Sequence, residues 1–329
     1  MRSLYIGVDL GGTNIKLGLL SDQFTALWLG SVPTESLTNS EVVMTNLING
    51  LRRLMTENNV TPADISAIGV GVPGQMDIKR GISIFSPNFA NWDNVPVVQR
   101  LTQEFGLPVY IDNDVRVNLY GEWQFGQATG LDNVVMVTLG TGLGAAAIVD
   151  GKMLYGHSNS AAELGHMNMV RQGGRPCACG SSGCFARYVS ARGIIWTVRD
   201  HLAAGESSLL TEWVAGDVDA ITPKMVSEAY DQGDLLAERV YTETAEMLGF
   251  GLANVINLYN PKRIVMGGGV AQAGDRLLKP AIEIAMSHSL KVARQDCDIV
   301  AAKLGSKAGA YGAGYMAAIR FAEESAEEA

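Results

Sequence analysis

Residues 4–20 read Leu-Tyr-Ile-Gly-Val-Asp-Leu-Gly-Gly-Thr-Asn-Ile-Lys-Leu-Gly-Leu-Leu. Leu4–Val8 is an apolar run of strand length, and the apolar pattern resumes over Ile15–Leu20. Between them lies Asp9-Leu10-Gly11-Gly12-Thr13, so the stretch predicts a hairpin around a glycine turn. About 130 residues later the pattern recurs. Val134–Leu139 leads into Gly140-Thr141-Gly142-Leu143-Gly144, and Ala145–Val149 continues as a strand to the Asp150-Gly151 turn signal. Backbone N–H groups in such turns approach phosphate oxygens closely, because no side chain intervenes. Two of them, with Asp9, Thr13 and Thr141, predict a phosphate-binding protein. The run from Gly140 to Ala145 also fits the loose dinucleotide pattern. That pattern requires a helix directly afterwards, and a strand is expected here instead. No P-loop is present.

Working outward, the spacing predicts a helix after Ser40, with Val43, Leu47, Leu51 and Leu54 on one face. Ile68–Val72 reads as a strand ending at Pro73-Gly74. Val95–Phe105 reads as a helix with Pro96 in its first turn. Val109–Ile111 is a short strand leading through Asp112-Asn113-Asp114 into a helix over 115–125. Further helices are expected over 190–203, 224–230, 235–258 and 308–321, with 204–222 as a connector. Arg263–Met266 is a strand ending in Gly267-Gly268-Gly269, a turn that can pass under a flat ligand such as adenine. The Glu-rich tail (Glu323, Glu324, Glu327, Glu328) reads as a frayed end. Strands alternating with helices define an α/β fold.

The chain has 329 residues, enough for about two domains. Hydrophobic residues make up 47% and charged residues 18%, which excludes wholesale disorder. The net charge of −9 argues against a nucleic-acid partner, which requires a basic face. No stretch is long and apolar enough to span a membrane, and the first residues carry no secretory pattern. A cytoplasmic protein is expected. Of four cysteines, Cys177, Cys179 and Cys184 fall within eight residues. With His166 they form H-x10-C-x-C-x4-C, whose three thiolates and one imidazole suit tetrahedral Zn²⁺. Four protein ligands leave no open position, so the zinc is expected to be structural. Glu163, three residues before His166, is placed to face the same cavity. Cys297 reads as a core residue, and His157, His201 and His288 as surface or core histidines. Asp114 has two readings from local sequence: a general base for a substrate hydroxyl or a helix N-cap.

Taken together, these residues resemble the ROK family of sugar kinases and related repressors, over essentially the whole chain. Asp9-Leu10-Gly11-Gly12-Thr13-Asn14-Ile15-Lys16 looks like the family's first phosphate motif, and Leu139–Gly144 like its second. Glu163-Leu164-Gly165-His166 matches the E-x-G-H signature, and Cys177–Cys184 matches C-x-C-G-x-x-G-C. Gly267–Gly269 resembles the adenosine-side turn.

The resemblance implies an actin-like (RNase H-like) two-domain sugar kinase fold with the active site in the interdomain cleft. The smaller N-terminal domain would comprise 1–116 plus the C-terminal helix at about 304–329. The larger domain, 117–303, would carry the zinc loop. The resemblance also implies transfer of the γ-phosphoryl of ATP, with Mg²⁺, to a sugar hydroxyl. Asp114 matches the base, and Asn113, Glu163 and His166 match sugar contacts, His166 ligating zinc as well. Gly74 and Asn88 resemble the sugar loops. The ATP side comprises Asp9, Gly11, Gly12, Thr13, Asn14, Lys16, Gly140, Thr141, Gly142, Gly144 and Gly267–Gly269. Closure of the cleft would exclude water. A homodimer or higher homo-oligomer is implied.

Glucokinase, acting on the 6-hydroxyl in glycolysis, is the first expectation, because Tyr188-Val189-Ser190-Ala191 looks most like those members. N-acetylmannosamine, N-acetylglucosamine, fructose and allose are the alternatives within the chemistry. A non-catalytic sugar-binding regulator is the alternative outside it. The family's repressors carry a DNA-binding domain ahead of the first motif, which here starts at Asp9. One departure bears on all of these readings. The family continues G-C-x-E, whereas this chain has Gly183-Cys184-Phe185-Ala186. A methyl group accepts no hydrogen bond from a sugar, a loss of about 0.5–1.5 kcal/mol. Ala145, Ala146 and Ala162 stand where the family often has Gly.

Overall fold

A computed structural model describes residues 4–86 and 88–327. Met1, Arg2, Ser3 and Glu328, which entered the readings of the two termini, lie outside the described residues. In chain order the elements begin with β1 (Leu4–Leu10), β2 (Asn14–Leu20), β3 (Ala26–Pro33), α1 (Ser40–Glu57), β4 (Ile65–Val72) and β5 (Gln75–Asp77). Next come β6 (Ile82–Phe85), β7 (Asp93–Val95), α2 (Val97–Phe105), β8 (Val109–Asn113) and α3 (Asp114–Phe125). The chain continues through β9 (Val134–Leu139), β10 (Leu143–Val149), β11 (Lys152–Met153), α4 (Ala186–Val189) and α5 (Ala191–Ala203). It then forms α6 (Leu209–Trp213), α7 (Pro223–Asp231), α8 (Leu235–Tyr259) and β12 (Arg263–Gly267). It ends with α9 (Asp275–His288), α10 (Lys291–Gln295), β13 (Asp298–Ala301) and α11 (Ala308–Glu327).

The chain divides into two compact units. One comprises Met1–Leu131, Met153–Ala161 and Ala302–Ala329, and the other Asp132–Lys152 and Ala162–Ala301. The boundary expected at 116 therefore moves to 131, because it would cut through α3. That helix packs along α11 of its own unit. The units are nearly equal in length, rather than small and large, and 153–161 returns to the first one.

The first unit is built on a sheet in the order β3-β2-β1-β4-β8. The β1–β2 pair is antiparallel, and β1–β4 and β4–β8 are parallel. The second unit is built on β11-β10-β9-β12-β13. Here β9–β10 is antiparallel, and β9–β12 and β12–β13 are parallel. The same arrangement thus occurs twice, each time opened by one of the glycine hairpins. A small antiparallel sheet, β5-β6-β7, belongs to the first unit.

The β1 and β4 strands are apolar almost throughout because both faces are covered. On one face α1 buries Val43, Leu47, Leu51 and Leu54. On the other lies α11, whose backbone approaches through Gly7 and Gly69. A Cβ at Gly7 would lie 1.8 Å from the Ala310 carbonyl oxygen and 2.5 Å from the Gly314 nitrogen. Both obstacles are backbone and cannot rotate away. Gly7→Ala is therefore expected to destabilise the protein by about 3 kcal/mol or more, beyond ordinary overpacking. Denaturant unfolding checks this, and a loss under about 1 kcal/mol would show that α11 can shift.

Several local expectations change. Asn39, not Ser40, caps α1, its side chain accepting from the Val42 N–H at 3.0 Å. The α2 helix starts at Val97, because Val95 closes β7 and Pro96 takes the cap position. The 204–222 connector contains α6 and a 3₁₀ turn at Val218–Ala220. The acidic end is helical to Glu327, and Tyr110 donates to the Glu324 carboxylate at 2.6 Å.

Candidate active site

The first glycine turn is closed by the hairpin register, with Asp9 opposite Lys16 and Leu10 opposite Ile15. Lys16 Nζ lies 3.2 Å from Asp9 Oδ2. Burial pushes the Asp9 carboxyl up from its ordinary pKa, and Lys16 opposes that shift. Gly12, Thr13 and Asn14 are exposed, so the turn is open to a ligand. Its inner side is clamped by Thr34, fully buried, whose hydroxyl donates to the Gly11 carbonyl at 2.6 Å and whose N–H donates to the Thr13 carbonyl at 3.0 Å. No local signal marked Thr34, because its partner lies 23 residues away.

The strand–helix junction after β8 removes the capping reading of Asp114. Asn113 is the N-cap, its side chain accepting from the Val115 N–H at 2.9 Å and more weakly from Arg116 at 3.4 Å. Asp114 is the first residue of α3 and half-buried. The capping role is thus taken, and Asp114 stands at the N-terminal, positive end of the helix. Asn113 Nδ2 also reaches the Gly74 carbonyl at 3.5 Å. Gly74 has φ +94°, and a Cβ there would lie 2.1 Å from the Phe85 carbonyl oxygen, so only glycine fits. Gly74, Asn113 and Asp114 are therefore brought together. Asn88 lies in the exposed turn between β6 and β7.

In the second unit, Gly140 N–H donates to the Gly142 carbonyl at 2.9 Å, and the Ala191 N–H at the start of α5 donates to the Gly140 carbonyl at 2.9 Å. Residues after Gly144 continue as β10, which removes the dinucleotide reading. Gly268 has φ +87°, and a Cβ there would lie 2.3 Å from the Leu139 carbonyl oxygen. The Gly267–Gly269 turn thus packs on the end of β9, beside the Gly140–Gly144 turn. The two glycine turns of this unit therefore lie side by side.

Glu163 and His166 sit on one 3₁₀ turn, both exposed, with the His166 N–H donating to the Glu163 carbonyl at 3.0 Å. Ala162 just before it has φ +64°, a left-handed conformation costing an alanine about 1–2 kcal/mol. That is the physical reason the family pattern favours Gly there. Ala186 opens α4 beside this turn, its methyl 3.4 Å from where a Gly165 Cβ would be. Position 186 is therefore adjacent to the Glu163–His166 turn, and its missing carboxylate is missing at the site itself.

His166, Cys177, Cys179 and Cys184 present ligand atoms that all lie within 4.8 Å of one another. Cys179 and Cys184 sulfurs are 3.7 Å apart, and Cys177 Sγ is 3.8 Å from His166 Nδ1. Two sulfurs each about 2.3 Å from a tetrahedral ion lie about 3.8 Å apart, so the donor set fits Zn²⁺. The Ser181 backbone N–H draws the Cys179 thiol down to about 7, while burial pushes Cys184 up to about 12. Arg175 secures the loop from behind. Its guanidinium donates to the carbonyls of Arg187 and Gly193 at 3.0 and 3.1 Å and to Asp200 at 2.7 Å. The sequence reading missed Arg175 because its partners are scattered over α4 and α5.

The profile of the ROK family matches residues 5–319, and the chain belongs to that family. It is 34% identical over 315 residues to a glucokinase of Halalkalibacterium halodurans, covering 95% of this chain and 94% of that one. A ROK family glucokinase from Streptomyces griseus, solved in complex with glucose and AMPPNP, is similar with a TM-score of 0.79 at 33% identity. That match covers 96% of this chain and 99% of the other. A xylose repressor of Caldicellulosiruptor bescii is 29% identical over 309 residues, covering 92% of this chain and 75% of that one. The fold is the mixed α/β, actin-like fold of ROK sugar kinases. Among the described residues no helix is long and apolar enough to cross a membrane.

Proposed function

We infer that this chain is an ATP-dependent hexokinase that phosphorylates the 6-hydroxyl of glucose. The observation that carries the reading is the division of labour at the β8–α3 junction. Asn113 caps the helix, and Asp114 heads α3 without being its cap. Whole-length similarity to glucokinases supports the choice of glucose.

Asp114 accepts the proton of the 6-hydroxyl as that oxygen bonds to the γ-phosphorus and the bond from phosphorus to the β-phosphate oxygen breaks. Phosphoryl transfer depends mainly on positioning and charge stabilisation. The backbone N–H groups of Gly12, Thr13, Thr141 and Gly142 hold phosphate oxygens, those of Gly11 and Gly140 being used inside their own turns, and Gly267–Gly269 lies under the adenosine. Mg²⁺, which Asp9 would help to hold, would supply positive charge to the phosphates. Glu163 and Asn113 bind sugar hydroxyls, and so does His166, which with Cys177, Cys179 and Cys184 would hold a structural zinc. The reading implies a cytoplasmic homo-oligomer working in glycolysis.

ADP release from Mg-ATP across a panel of hexoses and N-acetylhexosamines tests the reading. Turnover on glucose above all others supports it, and preference for another sugar moves the substrate within the same chemistry. A second reading, a sugar sensor without catalysis, is favoured by Ala186 and by the similarity to a xylose repressor. No turnover on any sugar by folded, zinc-loaded protein would establish the sensor over the enzyme.

Ala186→Glu separates a tolerated departure from a different pocket. Restoring one hydrogen bond is expected to tighten glucose binding roughly two- to tenfold, as read by calorimetry. Unchanged or weaker binding means the pocket is shaped for another ligand.

A further inference from the structure

We propose that Arg116 is a positioning residue for phosphoryl transfer, acting through Asp112 and residues 153–161 on Asn113 and Asp114. The proposal rests on the kinase reading above. Asp112 is fully buried at the end of β8. Four donors converge on it. Its Oδ1 accepts from Arg116 Nε at 2.5 Å and from the Asn113 backbone N–H at 2.7 Å. Its Oδ2 accepts from the Tyr155 hydroxyl and from Arg320 Nη2, each at 2.7 Å. Arg320 also donates to the Tyr155 oxygen at 2.8 Å and to the Ile111 carbonyl at 2.8 Å.

Charge balance does not require Arg116. One carboxylate is neutralised by one guanidinium, and Arg320 already supplies it. A second cation taken out of water at this point is costly, so what it holds in place is informative. Arg116 is four residues beyond Asp112, and Asn113 and Asp114 lie between them. The Arg116–Asp112 bond closes a ring across the strand–helix junction and fixes the backbone from which Asp114 projects. The same guanidinium donates from Nη1 to the Asn159 carbonyl at 3.1 Å and stacks over the Tyr155 ring at 5.1 Å. Asn159 is four residues ahead of Glu163 in the chain. One side chain therefore ties the base-bearing junction to the segment that leads into the Glu163–His166 turn. A base must be aimed within a fraction of an ångström; Arg320 also bonds both segments, but from α11, whereas Arg116 does so from α3 itself, two residues beyond Asp114.

Asp112→Ala is a poor test, because it strands two buried guanidinium groups and endangers the fold. Arg116→Gln leaves Asp112 with Arg320, Tyr155 and the Asn113 N–H. In the full chain, Arg116→Gln is expected to lower kcat for the sugar about ten- to hundredfold, the scale of a small misplacement of reacting groups. The KM for Mg-ATP should stay within about twofold. Arg116→Lys keeps the charge and one donor, and should recover part of the loss. A merely structural role predicts a lower unfolding midpoint with kcat per folded molecule unchanged, and that result overturns the proposal.

Amide hydrogen exchange supplies a readout that needs no turnover. Protection over 113–117 and over 155–161 should fall together in Arg116→Gln. Loss in one segment alone, or in neither, overturns the coupling. A wild-type protein silent on every sugar would instead fail the kinase reading, with the exchange result still deciding whether Arg116 joins the two segments.

Discussion

Asp114→Asn is expected to abolish turnover while leaving sugar binding largely intact. Asparagine keeps the shape of the side chain and its ability to hydrogen-bond a sugar hydroxyl, but it cannot hold the proton that must leave. A general base of this kind contributes about 10²–10⁴ in rate. The fold should tolerate the change, because Asn113 carries the cap through its bonds to Val115 and Arg116. The favourable interaction of a carboxylate with the helix N-terminus is lost, about 0.3–1 kcal/mol. The checks are kcat by ADP release and glucose affinity by calorimetry on the same preparation. A near-normal kcat would remove Asp114 from the mechanism. Loss of binding and turnover together would make it a sugar contact first.

Metal analysis is expected to find about one zinc per chain, and its removal by a chelator should abolish sugar binding. Apart from Arg175, which ties it to α4 and α5, the loop from 168 to 184 is held by its own backbone bonds, among them those of the Asn168–Cys184 and Pro176–Ser182 bridges. Its residues are mostly exposed. A zinc ion held by the four ligands would add to the local folding energy, as in small zinc modules. Without it His166 loses its anchor, and the turn it shares with Glu163 loses its orientation. The cores of the two sheets do not depend on the loop, so stripped protein should keep its secondary structure while proteases cut within 171–183. Cys177→Ser should reproduce the chelated state. Metal-free protein that is fully folded and active would refute the zinc reading.

Legibility in the sequence followed the range of the forces involved. The hairpins at Asp9–Thr13 and Gly140–Gly144, the helix at 40–57 and the cluster of His166 with the three cysteines were legible, because each is set by residues near one another in the chain. Elements held mainly by distant partners were not. The β3 strand and the short β5-β6-β7 strands carry weak patterns, and pairing alone makes them strands. The α9 helix contains Pro280, which breaks the periodicity that would have announced it. The α11 helix runs past its apolar face to Glu327, and the Tyr110 hydroxyl bonds the Glu324 carboxylate from another strand.

At the candidate site, residue types and spacing by themselves determined which residues could bind phosphate, hold zinc and accept a proton. They also exposed Ala186, since a missing carboxylate is a fact of sequence. Only the tertiary structure decided that Asn113, not Asp114, satisfies the helix end. It alone showed Thr34 clamping the first turn, Arg175 backing the zinc loop, and Asp112 drawing Arg116, Tyr155 and Arg320 to one point. The physical reason is the same in each case. A turn or a metal motif is encoded in spacing, whereas the partner of a buried charge is chosen by packing between segments far apart in the chain.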